Sequence, residues 1–66
     1  MIIKVNGEDL KVDNQSTAAT LITQLGYQDQ RIALEVNEAI ISKSKHVKFS
    51  LNEGDQVEII KAVGGG

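Results

Sequence analysis

Sixty-six residues are room for one domain only, because a chain this short buries roughly 60% of the surface it exposes when unfolded, and little is left for a carved active site. A content of 41% hydrophobic and 24% charged residues fits a folded domain and excludes a wholly disordered chain. Nine acidic against seven basic side chains, a net charge of -2, leave no electrostatic footprint for nucleic acid, and the lack of cysteine excludes a disulfide staple, a thiolate nucleophile and a thiolate metal site.

The chain opens on Met1-Ile2-Ile3, checked at once by Lys4, and later apolar runs are equally short. Neither a signal peptide nor a membrane span is therefore expected, and the predicted location is the cytoplasm with no membrane partner. Asn6-Gly7 stands between Met1–Val5 and Glu8–Val12, and Asn-Gly is the strongest short signal for a type I′ hairpin because both turn positions need positive φ. A two-residue loop pairs Val5 with Glu8, Ile3 with Leu10 and Met1 with Val12, which puts most apolar side chains on one face and Lys4, Asp9 and Lys11 on the other.

Ser16 or Thr17 can cap the next element by accepting from the first free N–H groups. Ala18, Leu21, Ile22 and Leu25 recur at helical spacing and Gly26 stands at the position of a left-handed C-terminal cap, so a helix is expected from about Thr17 to Leu25. Threonines at 17, 20 and 23 form helix poorly, and the element should depend on docking against a sheet. Ile32, Leu34 and Val36 alternate with Ala33, Glu35 and Asn37 as in a half-buried strand, and Asn37-Glu38 turns the chain toward a short apolar piece at Ile40-Ile41. Ser42 to Lys48 shows no period and reads as an irregular loop with room for one helical turn. A turn cluster over Leu51–Asp55 leads into a last strand, Val57–Ala62, with Val57 and Ile59 toward the core and Ile60 outward. Hairpin, helix, strand, short strand and strand, in that order, describe an α+β fold, a ubiquitin-like β-grasp roll with one helix packed across one face of a small mixed sheet, although a different connection of the same elements would bury the same residues. The expected division is a domain over 1–63 and a flexible C-terminal glycine tail over 64–66.

Few side chains suggest chemistry. His46, the single histidine, has no cysteine and only scattered carboxylates to join it, and reads as a surface histidine, not a metal ligand. Lys43, Lys45 and Lys48 read as a solvated loop, and Glu53, Asp55 and Glu58 surround a turn without forming an acid/base pair. Neither a catalytic residue nor a bound cofactor or metal is expected. The terminal Gly64-Gly65-Gly66 needs an explanation, because glycine loses the most backbone entropy on ordering and packs nothing. One reading is a frayed end or a cloning remnant. The other is a side-chain-free arm that threads a narrow channel and presents an unhindered carboxylate. Extended, Val63 to Gly66 would reach roughly 13 Å at about 3.3 Å per residue. A carboxylate must be activated before it accepts a nucleophile, typically by adenylyl transfer from ATP, and the chain has no glycine-rich phosphate loop with its lysine, so the activating enzyme would be another protein.

Met1-Ile2-Ile3-Lys4-Val5-Asn6-Gly7, Leu34-Glu35-Val36-Asn37 and Gly54-Asp55-Gln56-Val57-Glu58-Ile59-Ile60, leading to Ala62-Val63-Gly64-Gly65-Gly66, resemble in order and spacing the ThiS family of sulfur carriers of thiamine biosynthesis. The resemblance covers essentially the whole chain. It implies a carrier and not an enzyme, whose Gly66 carboxylate is adenylated by an E1-like, ThiF-type adenylyltransferase using ATP and magnesium. The adenylate then becomes a thiocarboxylate with sulfur from a cysteine desulfurase and passes that sulfur to a ThiG-type thiazole synthase. Gly64 and Gly65 would be the threading segment, Ile60, Ala62 and Val63 an apolar patch for partner docking, and the free carrier a monomer. Two positions depart from the family's habit: Glu38 follows Asn37 where glycine is common, and Ser42-Lys43 replaces Pro-Arg. A β-grasp carrier of the molybdopterin-synthase small-subunit type, or an interaction module with an inert tail, remain the competing readings.

Overall fold

The computed structural model describes residues 1–62. Strand β1, Ile2–Val5, turns through Asn6 and Gly7 into β2, Glu8–Lys11, pairing Val5 with Glu8 and Ile3 with Leu10 as the two-residue loop requires. Asn6 and Gly7 have φ of 51° and 86°, the conformation of a type I′ turn. The outer pair holds too: Val12 N–H donates to the Met1 carbonyl at 2.9 Å, and the Met1 ammonium donates to the Val12 carbonyl at 2.8 Å.

Helix α1, Ala18–Gln24, has Thr17 as its N-cap. Its first donors are all satisfied: Ala18 N–H reaches the Phe49 carbonyl at 2.9 Å, Ala19 N–H the His46 carbonyl at 3.0 Å, and Thr20 N–H the Thr17 hydroxyl at 3.2 Å. The Thr20 hydroxyl accepts in return from Thr17 N–H at 2.8 Å, so the threonines that weaken the helix interior close a capping box at its start. At the other end Gly26, at φ 81°, donates to the Thr23 carbonyl and Tyr27 N–H donates to that of Ile22, the two bonds of a Schellman motif. Seven residues are too few for an isolated helix, and α1 is held by burying Ala18, Leu21 and Ile22.

Strands β3, Ile32–Val36, β4, Ala39–Ile41, and β5, Gln56–Lys61, complete a five-stranded mixed sheet of order β2-β1-β5-β3-β4. The last strand in the chain thus lies at its centre, parallel to β1 and antiparallel to β3. Ile3, Leu34, Val36, Val57 and Ile59 meet the helix residues in one core, together with Val12 and Leu51. Both turn asparagines also grip β5. Asn6 pairs its side-chain amide with the backbone of Ile59, accepting at 2.8 Å and donating at 3.3 Å. Asn37 accepts from Gln56 N–H at 2.9 Å and donates to the Asp55 carboxylate at 3.0 Å.

Asn37 and Glu38, at φ 51° and 70°, form a second type I′ turn, even though glutamate is poorly suited to positive φ. Glu38→Gly is therefore expected to stabilise the domain by roughly 0.5–1 kcal/mol, because relief of the left-handed strain exceeds the extra entropy of the unfolded glycine. A higher urea midpoint at unchanged slope would show it, and a lower midpoint would mean that the glutamate side chain makes a stabilising contribution of its own.

Two expectations need correction. His46 is not a surface residue: it is only 8% exposed, and its Nε2–H donates to the Ile41 carbonyl at 3.0 Å. The reason is that a 3₁₀ turn over Lys43–Lys45 brings residues 46–49 under the start of α1, where the His46 and Phe49 carbonyls take the helix's free N–H groups. Leu51 is likewise not turn filler but core, 3% exposed, because Leu51 N–H donates to the Ser16 carbonyl and Thr17 bridges to Ser50.

Candidate functional site

The site expected from the sequence is the end of β5 and the glycine-rich stretch after it. β5 alternates along its length: Val57 and Ile59 are buried, while Gln56, Glu58 and Ile60 lie on the face that α1 leaves uncovered. Ile60 is 52% exposed and stands opposite Ala33 of β3. Ala62 is exposed just beyond the strand, where its N–H donates to the Arg31 carbonyl at 2.9 Å. Val63, Gly64, Gly65 and Gly66 lie outside the described residues, so the structure brings together only the base of the expected arm.

The uncovered face carries a residue to which the sequence pattern assigns no role. Ile40 is 77% exposed and pairs with Glu35, on the same side of the sheet as Ile60 and diagonal to Ala33. Turn length and strand parity together would have revealed it, since a two-residue loop at Asn37-Glu38 pairs Val36 with Ala39 and so sets Ile40 beside Glu35. Around these apolar groups the face is acidic: Glu35 stands directly across from Glu58, a like-charge pair that costs stability unless something opposite in charge approaches.

The three carboxylates near the β5 turn do not converge on a reacting centre. Asp55 is 8% exposed and consumed by structure, accepting from Asn37 on one oxygen and from Asn52 N–H at 2.8 Å on the other. Glu53 accepts from Ile2 N–H at 3.0 Å, fastening the turn to β1, and Glu58 points to the uncovered face. Beside the exit of β5 is an open groove of about 590 Å³ lined by residues including Tyr27, Arg31, Lys43, His46 and Ala62. Its histidine is already bonded to the Ile41 carbonyl, and none of its side chains pairs a nucleophile with a base. Among the described residues no group of three or more His, Asp or Glu side chains is placed to hold a metal ion, and no helix is long and apolar enough to cross a membrane. What the geometry offers is a platform whose central strand ends beside an open groove.

Comparison with known proteins agrees with that arrangement. A crystal structure of the thiamine biosynthesis protein ThiS from Geobacter metallireducens superimposes on the whole chain with a TM-score of 0.85, at 26% identity and with all of both chains covered. The full 66 residues are 33% identical to a segment of the thiazole synthase of Paramagnetospirillum magneticum, and there the chain spans only 20% of the relative's length. An uncharacterized protein, ycf40 of Porphyra purpurea, is 33% identical over 64 residues, covering 97% of this chain and 90% of that one. The five-stranded mixed sheet with its single helix is thus a ubiquitin-like β-grasp, and it has the ThiS version of that fold. Since the model of the ThiS family matches residues 3–66, from the first strand through the terminal glycines, the chain belongs to the ThiS family.

Proposed function

We propose that this chain is a sulfur carrier of thiamine biosynthesis, adenylated and then thiocarboxylated at Gly66, and that it gives its sulfur to a thiazole synthase. The observation that carries the reading is the extent of the family match, which covers the folded platform and the glycines at 64, 65 and 66 alike. In this reading the Gly66 carboxylate attacks the α-phosphorus of ATP in an E1-like enzyme that uses magnesium, and pyrophosphate leaves. A persulfide charged by a cysteine desulfurase then displaces AMP, and a thiol reduces the acyl persulfide so formed, cleaving its S–S bond to leave a polarizable thiocarboxylate on Gly66. Gly64 and Gly65 thread the partner's channel because a chain without side chains needs the narrowest passage.

The chain's own contribution is positioning, not catalysis. Ile60, with Ala62 and Val63, supplies an apolar patch beside the base of the arm, and an exposed isoleucine next to an acidic sheet face suits a partner that is apolar at its centre and basic around it. The match to a segment of a thiazole synthase supports that enzyme as recipient, because a segment similar to this chain is part of that polypeptide. Intact mass spectrometry tests the proposal. Incubated with an E1-like enzyme, ATP, magnesium, a cysteine desulfurase, cysteine and a thiol reductant, the 66-residue chain should gain the mass difference between one sulfur and one oxygen atom. A mass that never changes would dismiss the carrier role.

A further inference from the structure

The base of the arm is held by one loop at two points. Residues 25–31 connect α1 to β3, and Tyr27 and Arg31 of that loop both reach the end of β5. At the first the Lys61 ammonium sits over the Tyr27 ring, 5.1 Å from its centroid. At the second, the Arg31 carbonyl accepts from Ala62 N–H at 2.9 Å. Tyr27 is itself anchored on both sides of its backbone, its N–H donating to the Ile22 carbonyl at 2.9 Å and its carbonyl accepting from Gln30 N–H at 3.0 Å, while its ring packs against the core. A ring fixed in this way is a rigid seat for a flexible cation.

β5 needs such a seat. On its β1 side the strand ladder covers only Gln56 and Val57, and the Asn6 side chain extends it to Ile59. Beyond Ile59 the strand keeps backbone pairing with β3 alone, through Ala33 and Ile32. Lys61 and Ala62 thus leave the sheet along a single neighbour, and a strand tied on one side only is free to twist or fray at its end.

We propose that Tyr27 and Lys61 form a clasp at the end of β5: together with the Arg31–Ala62 hydrogen bond it holds Lys61 and Ala62 in one direction, so that a docked domain delivers its carboxylate to the activating site in reactive alignment. The inference rests on the carrier reading. Tyr27 and Lys61 are positioning residues here, and neither touches the reacting atoms. Loss of the clasp leaves Ile60 and the uncovered sheet face in place but loosens Lys61 and Ala62, and near-attack geometry tolerates little misplacement.

Steady-state adenylation by an E1-like enzyme, with the carrier as varied substrate, gives the test. Lys61→Met and Tyr27→Leu should each lower kcat roughly two- to fivefold, the size of an exposed cation–π contact, with KM unchanged. Lys61→Arg and Tyr27→Phe, which keep the cation and the ring, should behave as the natural chain does. The double variant should be no slower than the slower single one, because both remove the same contact. A rise in KM at constant kcat, or losses that multiply in the double variant, would overturn the clasp in favour of direct contact between Lys61 and the enzyme. Hydrogen exchange at the Ala62 amide reads the clasp without any enzyme: it should quicken in both disruptive variants, and unchanged exchange overturns the proposal. If the natural chain itself is never adenylated, the carrier reading fails, and the amide exchange alone decides whether the clasp exists.

Discussion

Removing Gly66, or adding one alanine after it, is expected to abolish adenylation while the melting temperature of the domain stays where it was. The two halves of that expectation have separate causes. Each residue added or removed moves the terminal carboxylate by about 3.3 Å along an extended chain. Reacting atoms must come within roughly 3–3.5 Å in line, and misplacement of about 1 Å is enough for a loss on the order of a hundredfold, so a change of one residue should leave no measurable turnover. Stability is set elsewhere, since every buried hydrophobic residue among those described lies between Ile3 and Ile59. Mass spectrometry of the incubated variants, beside a thermal melt of each, checks both halves. A shortened chain that still gains sulfur would show that Gly66 is not the modified residue, and a lowered melting temperature would show that the glycines hold the fold.

The opposite pattern is expected of Leu21→Ala. Leu21 is fully buried in the middle of α1, at the centre of the contact between helix and sheet. Truncating such a leucine costs about 2–5 kcal/mol, from lost transfer energy and from the cavity left behind. A domain of this size has roughly 3–10 kcal/mol in total, so the variant should be close to unfolding at physiological temperature. The urea midpoint should fall at nearly constant slope, and Leu21→Met, which conserves volume, should cost under about 1.5 kcal/mol. Under conditions where Leu21→Ala is folded, its thiocarboxylation should match the natural chain, because the arm and the uncovered sheet face are untouched. A cost below about 1 kcal/mol would mean that the helix does not rely on this contact.

How far the amino-acid sequence reveals the fold depends on whether the determining interaction is local. The first hairpin is legible to the residue because Asn6-Gly7 sets the turn and the alternation of Ile3, Val5 and Leu10 then sets the face. Thr17 and Gly26 likewise mark the ends of α1 by their own chemistry, and strand parity alone is enough to place Ile60 outward. Leu51 and His46 escape such reading for the converse reason. Their burial is decided by backbone hydrogen bonds to the start of a distant helix, the His46 carbonyl accepting from Ala19 N–H and Leu51 N–H donating to the Ser16 carbonyl, and no period within residues 42–51 records that meeting. The central place of β5 and its parallel pairing with β1 are also products of long-range topology. At the site, the arm reading of Gly64, Gly65 and Gly66 rests on composition and falls outside the described residues, whereas the contact of Lys61 with Tyr27 joins residues far apart in sequence and is visible only in three dimensions.

The central position of β5 also has a mechanical consequence. A partner that grips the chain beyond Ala62 and tugs does so along the strand, with parallel β1 on one side, antiparallel β3 on the other and two asparagine amides bracing the turns. Force in that direction loads the bonds of Gln56–Ile59 together in shear, whereas Ile60 and Lys61, paired with β3 alone, can yield before them. Under the proposed carrier role, a pull on the end of the chain would therefore be resisted by the doubly braced part of β5, Gln56–Ile59, as a unit.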